Sequence, residues 1–103
     1  MTSVELAWAI IGRDPNMGMA TKLTLLVIAH RADVAGWTRL EEAELGHVVG
    51  LSERQIMASI AGLVRDGHAV LHSREEMIFS TRWIEIHDRR QVSTVSSQSQ
   101  VSQ

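Results

Sequence analysis

Apolar positions recur at helical spacing in the first two thirds of the chain and then fall in short runs that flank a polar stretch. Val4, Ala7, Trp8 and Ile11 fall on one face of a short helix, and Thr2 with Glu5 three residues later supplies its capping signal. The segment 12–18, with Asp14-Pro15-Asn16 at its centre, breaks that helix. A second helix is predicted from Met19 to Asp33. Its middle, 23–29, is apolar nearly all round apart from Thr24, the mark of a central, buried helix. Ala35-Gly36-Trp37-Thr38 ends it and predicts a short strand.

From 39 to 66 the pattern is helical again, interrupted at Gly50-Leu51-Ser52. Before the break, Leu40, Ala43, Leu45 and Val48 predict a short amphipathic helix. After it, Ile56, Ile60, Leu63 and Val64 form a longer stripe, closed by Gly67. Ala69-Val70-Leu71 and Met77-Ile78-Phe79 flank the polar run Ser73-Arg74-Glu75-Glu76, which predicts a β-hairpin turning at that run. Trp83, Ile84 and Ile86 extend its second strand. Trp8 and Trp37 are expected in the core; Trp83 lies on the hairpin. The expected fold is therefore α+β, mostly α, with helices followed by a C-terminal β-hairpin.

Composition narrows the class. A chain of 103 residues with 45% hydrophobic residues supports one domain with one modest core. We place that domain at 1–90. Residues 91–103 contain only Gln, Ser, Val and one Thr, too little apolar surface to offset the entropy of ordering, and are expected to be a disordered tail or linker. There are no cysteines, which excludes disulfides, thiolate metal sites and a cysteine nucleophile. The first residues lack the pattern of a secretory signal, and no apolar run approaches the length of a membrane span, so a cytoplasmic protein is expected. No phosphate-cradling loop, nucleophile elbow or carboxylate pair is visible, so neither an enzyme nor a cofactor is expected. His68 and His72 lie four apart on the predicted strand, but two imidazoles without further ligands do not make a metal site.

The run Glu44-Leu45-Gly46-His47-Val48-Val49-Gly50-Leu51-Ser52 resembles the helix-turn of winged helix-turn-helix regulators, and the resemblance extends over roughly 38–84. It implies that Gly46 lets two helices approach, that Gly50 supplies a positive φ, and that Leu51 plugs the gap between the helices. Ser52 then caps a recognition helix, with Gln55 completing a capping box. The N-terminal part, with Trp8, Arg13-Asp14-Pro15-Asn16 and Lys22-Leu23-Thr24-Leu25-Leu26, is similar to winged-helix proteins of phage and plasmid origin, some of them transcriptional regulators and others DNA-replication initiation modules.

The resemblance implies a double-stranded DNA partner. Glu53, Arg54, Gln55, Met57, Ala58 and Ser59 become candidate base contacts, with Arg54 suited to guanine and Gln55 to adenine. Thr38, Arg39, Ser52 and Arg74 become candidate phosphate contacts. A homodimer is expected on DNA, with Val4, Trp8 and Ile11 as its interface. Charge weighs the other way. The formal net charge is −2, and the cations are nine arginines and a single lysine, Lys22. The alternative is a protein-interaction module, its partner seated on the apolar patch of Met57, Ala58 and Ala61 or on the acidic face of Glu41, Glu42 and Glu44. That acidic face is otherwise ordinary solvated helix surface.

Overall fold

The computed structural model describes residues 1–76 and 79–87, with side chains at 75, 76, 79 and 80 excepted. The expected tail and the hairpin residues Met77 and Ile78 lie outside that set. The described chain is α+β and mostly helical: α1 (Ser3–Arg13), α2 (Met19–Arg31), β1 (Trp37–Arg39), α3 (Glu42–Val49), α4 (Glu53–Arg65), β2 (Ala69–Glu76) and β3 (Phe79–Ile86). The three strands form one antiparallel sheet in the order β1-β3-β2. None of the described helices is long and apolar enough to cross a membrane.

Each helix starts or stops for a local reason. The Thr2 hydroxyl accepts the Glu5 N–H at 3.2 Å while the Glu5 carboxylate accepts the Thr2 N–H at 3.3 Å, the reciprocal box read from the sequence. Helix α2 stops at Arg31, two residues short of the expected end. Asp33 is withdrawn because its carboxylate accepts the N–H groups of Ala35, at 2.9 Å, and Trp37, at 3.0 Å, folding the chain into β1. Gly67 closes α4 at φ 80°. Its N–H bonds to Val64 and that of His68 to Leu63, which together satisfy the last carbonyls.

The core lies between α2, the inner faces of α1 and α4, and the inner face of the sheet. Ile10, Leu25, Ile28, Leu45, Ile56, Leu63 and Ile84 are all fully buried. Thr24 is buried within α2 with its hydroxyl donating to the Ala20 carbonyl, so the polar interruption costs no unpaired group.

Expectations about burial and about the hairpin turn are corrected. Trp8 is 58% exposed, and the inward stripe of α1 runs through Ala7 and Ile10 with Val4 and Ile11 only half-buried. A shift of one residue in helical phase rotates the face by about 100°, enough to turn Trp8 outward. Ala43 and Val48 of α3 are exposed. Leu40 is buried but precedes the helix, its N–H donating to Arg82 of β3. Finally, Ser73 to Glu76 do not turn: they pair with β3, Glu76 lying opposite Phe79. A polar run clusters in turns, but it equally suits a hairpin that extends past the core, where both faces meet water.

Candidate nucleic-acid interface

The unit α3–α4 is built by backbone hydrogen bonds of short range. Helix α3 ends at Gly50, with φ 83°, and the N–H groups of Gly50 and Leu51 both reach the Gly46 carbonyl, at 2.8 and 2.9 Å. That close return explains Gly46. A Cβ there would stand 2.5 Å from the Leu51 carbonyl oxygen, so what a side chain would obstruct is the turn's own backbone and not a neighbouring helix. Ser52 then opens α4: its hydroxyl accepts the Gln55 N–H at 3.1 Å and its N–H donates to the Gln55 side-chain oxygen at 2.9 Å.

The phase of α4 follows. Ile56, Ile60 and Leu63 point inward, leaving Glu53, Arg54, Gln55, Met57, Ala58 and Ala61 exposed. Five of the six candidate base contacts therefore face solvent. Ser59 does not; it is 5% exposed and on the buried side of the helix. Gln55 is exposed but already committed. Its side-chain oxygen holds the Ser52 N–H, and a two-bond contact to adenine needs that oxygen as acceptor.

The phosphate candidates divide in the same way. Thr38 is buried, 4% exposed, and its hydroxyl donates to the Ile28 carbonyl at 2.8 Å, tying β1 to α2. It is removed from the set. The Ser52 hydroxyl is exposed but serves as the helix cap. Arg39 is exposed, with Glu41 at 3.4 Å, and Arg74 is exposed on β2.

Three further arginines face carboxylates among the described residues. Arg31 meets Glu44 at 3.2 Å, Arg65 meets Asp66 at 3.5 Å, and Arg82 of β3 pairs with Glu42 of α3. The acidic face of α3 is therefore neutralised in part, and its Arg82–Glu42 pair braces the helix against the hairpin. Among the described residues, Arg54 and Lys22 make no ion pair, and only Arg54 lies on the exposed face of α4.

The sheet's outer face holds residues that sequence reading did not bring together. Trp37, Glu85 and Val70 form one cross-strand row, and Arg39, Trp83 and His72 the next. The rings of Trp37 and His72 stack 3.9 Å apart at 12°. The Glu85 carboxylate meets His72 Nε2 at 2.9 Å and His87 Nε2 at 3.2 Å. The alternation of Trp83, Glu85 and His87 with Ile84 and Ile86 carries this signal, because every second residue of a strand shares a face.

His68 does not join them. It precedes β2, and its Nε2 lies 3.5 Å from Asp14 in the α1–α2 loop, away from His72 and its partners. No group of three or more metal-ligating side chains is arranged to hold an ion among the described residues.

No protein-family model, curated protein or solved structure matches this chain.

Proposed function

We propose that the chain is a winged helix-turn-helix module that binds double-stranded DNA by laying the N-terminal half of α4 in the major groove, with the β2–β3 hairpin as its wing. The observation that carries this reading is the outward Arg54, which makes no ion pair among the described residues, at the head of a helix fixed by the Gly50 turn and the Ser52–Gln55 box. A guanidinium so held has the reach and the free donors to grip guanine O6 and N7. Arg39 and Arg74 flank as phosphate contacts, and Glu53, Met57 and Ala58 complete the helix surface presented to bases. The element order supports the reading: β1 between α2 and α3, pairing with the returning strand β3, lets the hairpin project beside α4.

The module serves as a transcriptional regulator or as the operator- or origin-binding part of a replication protein. It acts as a homodimer through α1, where the 58% exposure of Trp8 leaves a large indole uncovered. Sedimentation on a duplex with two half-sites tests the dimer: a monomer both alone and on that duplex contradicts it. Duplex binding itself is tested by mobility shift at several salt concentrations, where binding that steepens with falling salt is the expected result.

A second reading is favoured by the ion pairs. With Arg31, Arg39, Arg65 and Arg82 all facing carboxylates, little positive charge is left over for phosphate, while Met57 is 52% exposed beside Ala58 and Ala61. On that reading α4 packs its apolar patch against a protein partner. Met57→Glu then abolishes the complex and Arg54→Ala leaves it intact.

A further inference from the structure

The exposed side of α4 carries a pattern of its own. Arg54, Met57, Ala58 and Ala61 stand at spacings of three and four, so they form one lengthwise stripe on the surface of the helix. Only its first member is charged. Met57 is 52% exposed, and neither its side chain nor those of the two alanines has an N–H or O–H with which to read a base edge. The polar side chains are confined to the flanks: Glu53 and Gln55 lie about 100° to either side of Arg54.

Gln55 is restricted further by the way α4 begins. Its side-chain oxygen is turned back to accept the Ser52 N–H at 2.9 Å, which leaves the amide NH2 as the part that reaches outward. Adenine asks for both halves of the amide at once, whereas a keto oxygen, thymine O4 or guanine O6, asks only for the donor. The stripe narrows the choice again. In the major groove the one apolar feature of a base pair is the thymine methyl group. An apolar side chain pressed on any other edge strips water from polar groups that it cannot satisfy.

We infer that α4 recognises thymine. On the duplex reading given above, on which this inference rests, thymine methyl groups lie under Met57 and Ala58 and a keto oxygen takes the Gln55 N–H, beside the guanine held by Arg54. About one turn of helix, 5.4 Å, separates Arg54 from Met57 and Ala58, against about 3.4 Å from one base to the next. The thymines therefore fall within about two base pairs of that guanine.

The test takes duplexes selected from a random pool by the full chain and replaces their thymines by uracil, one at a time. Uracil keeps O4 and the pairing edge and lacks only the methyl group. Binding at fixed salt is expected to weaken about fourfold for each thymine under the stripe, the effect of withdrawing one methyl group from an apolar contact. The sensitive positions lie next to the base pair at which Arg54→Ala relaxes discrimination. Met57→Gln, at an exposed position, keeps the fold and narrows the gap between thymine and uracil. Should it fail to fold, the uracil series on the wild-type chain carries the test.

Uracil tolerated at every position, with Arg54→Ala still weakening the selected duplex, overturns the inference and leaves duplex reading by α4 intact. A gap that Met57→Gln leaves undiminished overturns it as well. A pool from which no duplex is retained at any salt concentration overturns the duplex reading itself, and the inference with it, and leaves the stripe to a protein partner.

Discussion

The α3–α4 unit and the outer face of the sheet are both exposed, but they are specified in different ways. In α3–α4 every decisive contact spans five residues or fewer: Gly50 and Leu51 to Gly46, and Ser52 to Gln55. On the sheet the decisive contacts join Trp37 to His72 and Glu85 to His72, residues brought together by strand register alone. The first region depends on turn chemistry and helix phase. The second depends on two strand pairings forming in the correct register, and a slip of one residue would turn every member to the opposite face. The lesson is that an exposed surface can be fixed by local hydrogen bonding or by long-range pairing, and mutations should tell them apart.

The largest effect is expected where both regions depend on one core. Ile60 of α4 is 4% exposed, and Ile60→Asp buries an unpaired charge. We expect a loss of more than about 4 kcal/mol, enough to abolish cooperative melting by circular dichroism. A cooperative melt near the wild-type Tm would show that α4 is not docked as described.

Next comes Gly46→Ala, which places a methyl group 2.5 Å from the Leu51 carbonyl oxygen. Backbone has to move, and we expect a cost of roughly 1–3 kcal/mol in chemical denaturation. Loss of duplex binding beyond that explained by unfolding would show that the turn geometry itself positions α4. Trp37→Leu breaks the sheet's counterpart, the stacked ring pair, at about 1 kcal/mol. It should leave α4 undisturbed, which amide chemical shifts of 53–65 can report; shifts spread through α4 would mean that the two regions are coupled.

The smallest effect lies at the α1 cap. Hydrogen bonds from the Thr2 hydroxyl and N–H hold the fully exposed Glu5 carboxyl below its ordinary range. A depressed carboxyl contributes stability above its unfolded value and loses it as pH falls through the folded one. Thr2→Ala should therefore lower Tm slightly at neutral pH, with the gap from wild type narrowing on acidification. A gap that widens in acid would contradict the assignment.

What was legible in the sequence follows the same division. The turn at Gly50, both capping boxes, the Gly67 stop and the Ile56-Ile60-Leu63 stripe were readable because each is a rule about near neighbours. The phase of α1 was misjudged because Val4-Ala7-Trp8-Ile11 and Ala7-Ile10 are overlapping stripes, and only packing against α2 chooses between them. The hairpin turn was misplaced because the polar run 73–76 has no glycine, proline or asparagine to force a turn, and pairing carried it into the strand. Thr38 and Ser59 looked available because a hydroxyl gives no sign in sequence of whether it is buried. Their burial arises from the contact of β1 with α2 and from the helical phase of α4. The ring cluster on the sheet needed the register of three strands, which only the β3 alternation hinted at.

One substitution separates an α4 that reads duplex DNA through Arg54 from one that does not. Arg54 is exposed and makes no ion pair among the described residues, so Arg54→Ala should leave the melt within about 0.5 kcal/mol of wild type. Its binding to a selected duplex, measured by mobility shift over a series of salt concentrations, should fall by roughly 1–3 kcal/mol with discrimination relaxed at one base pair. If the mutant instead binds every duplex as the wild type does, at every salt concentration, α4 does not read DNA and the exposed Met57 patch is left as the functional surface of that helix.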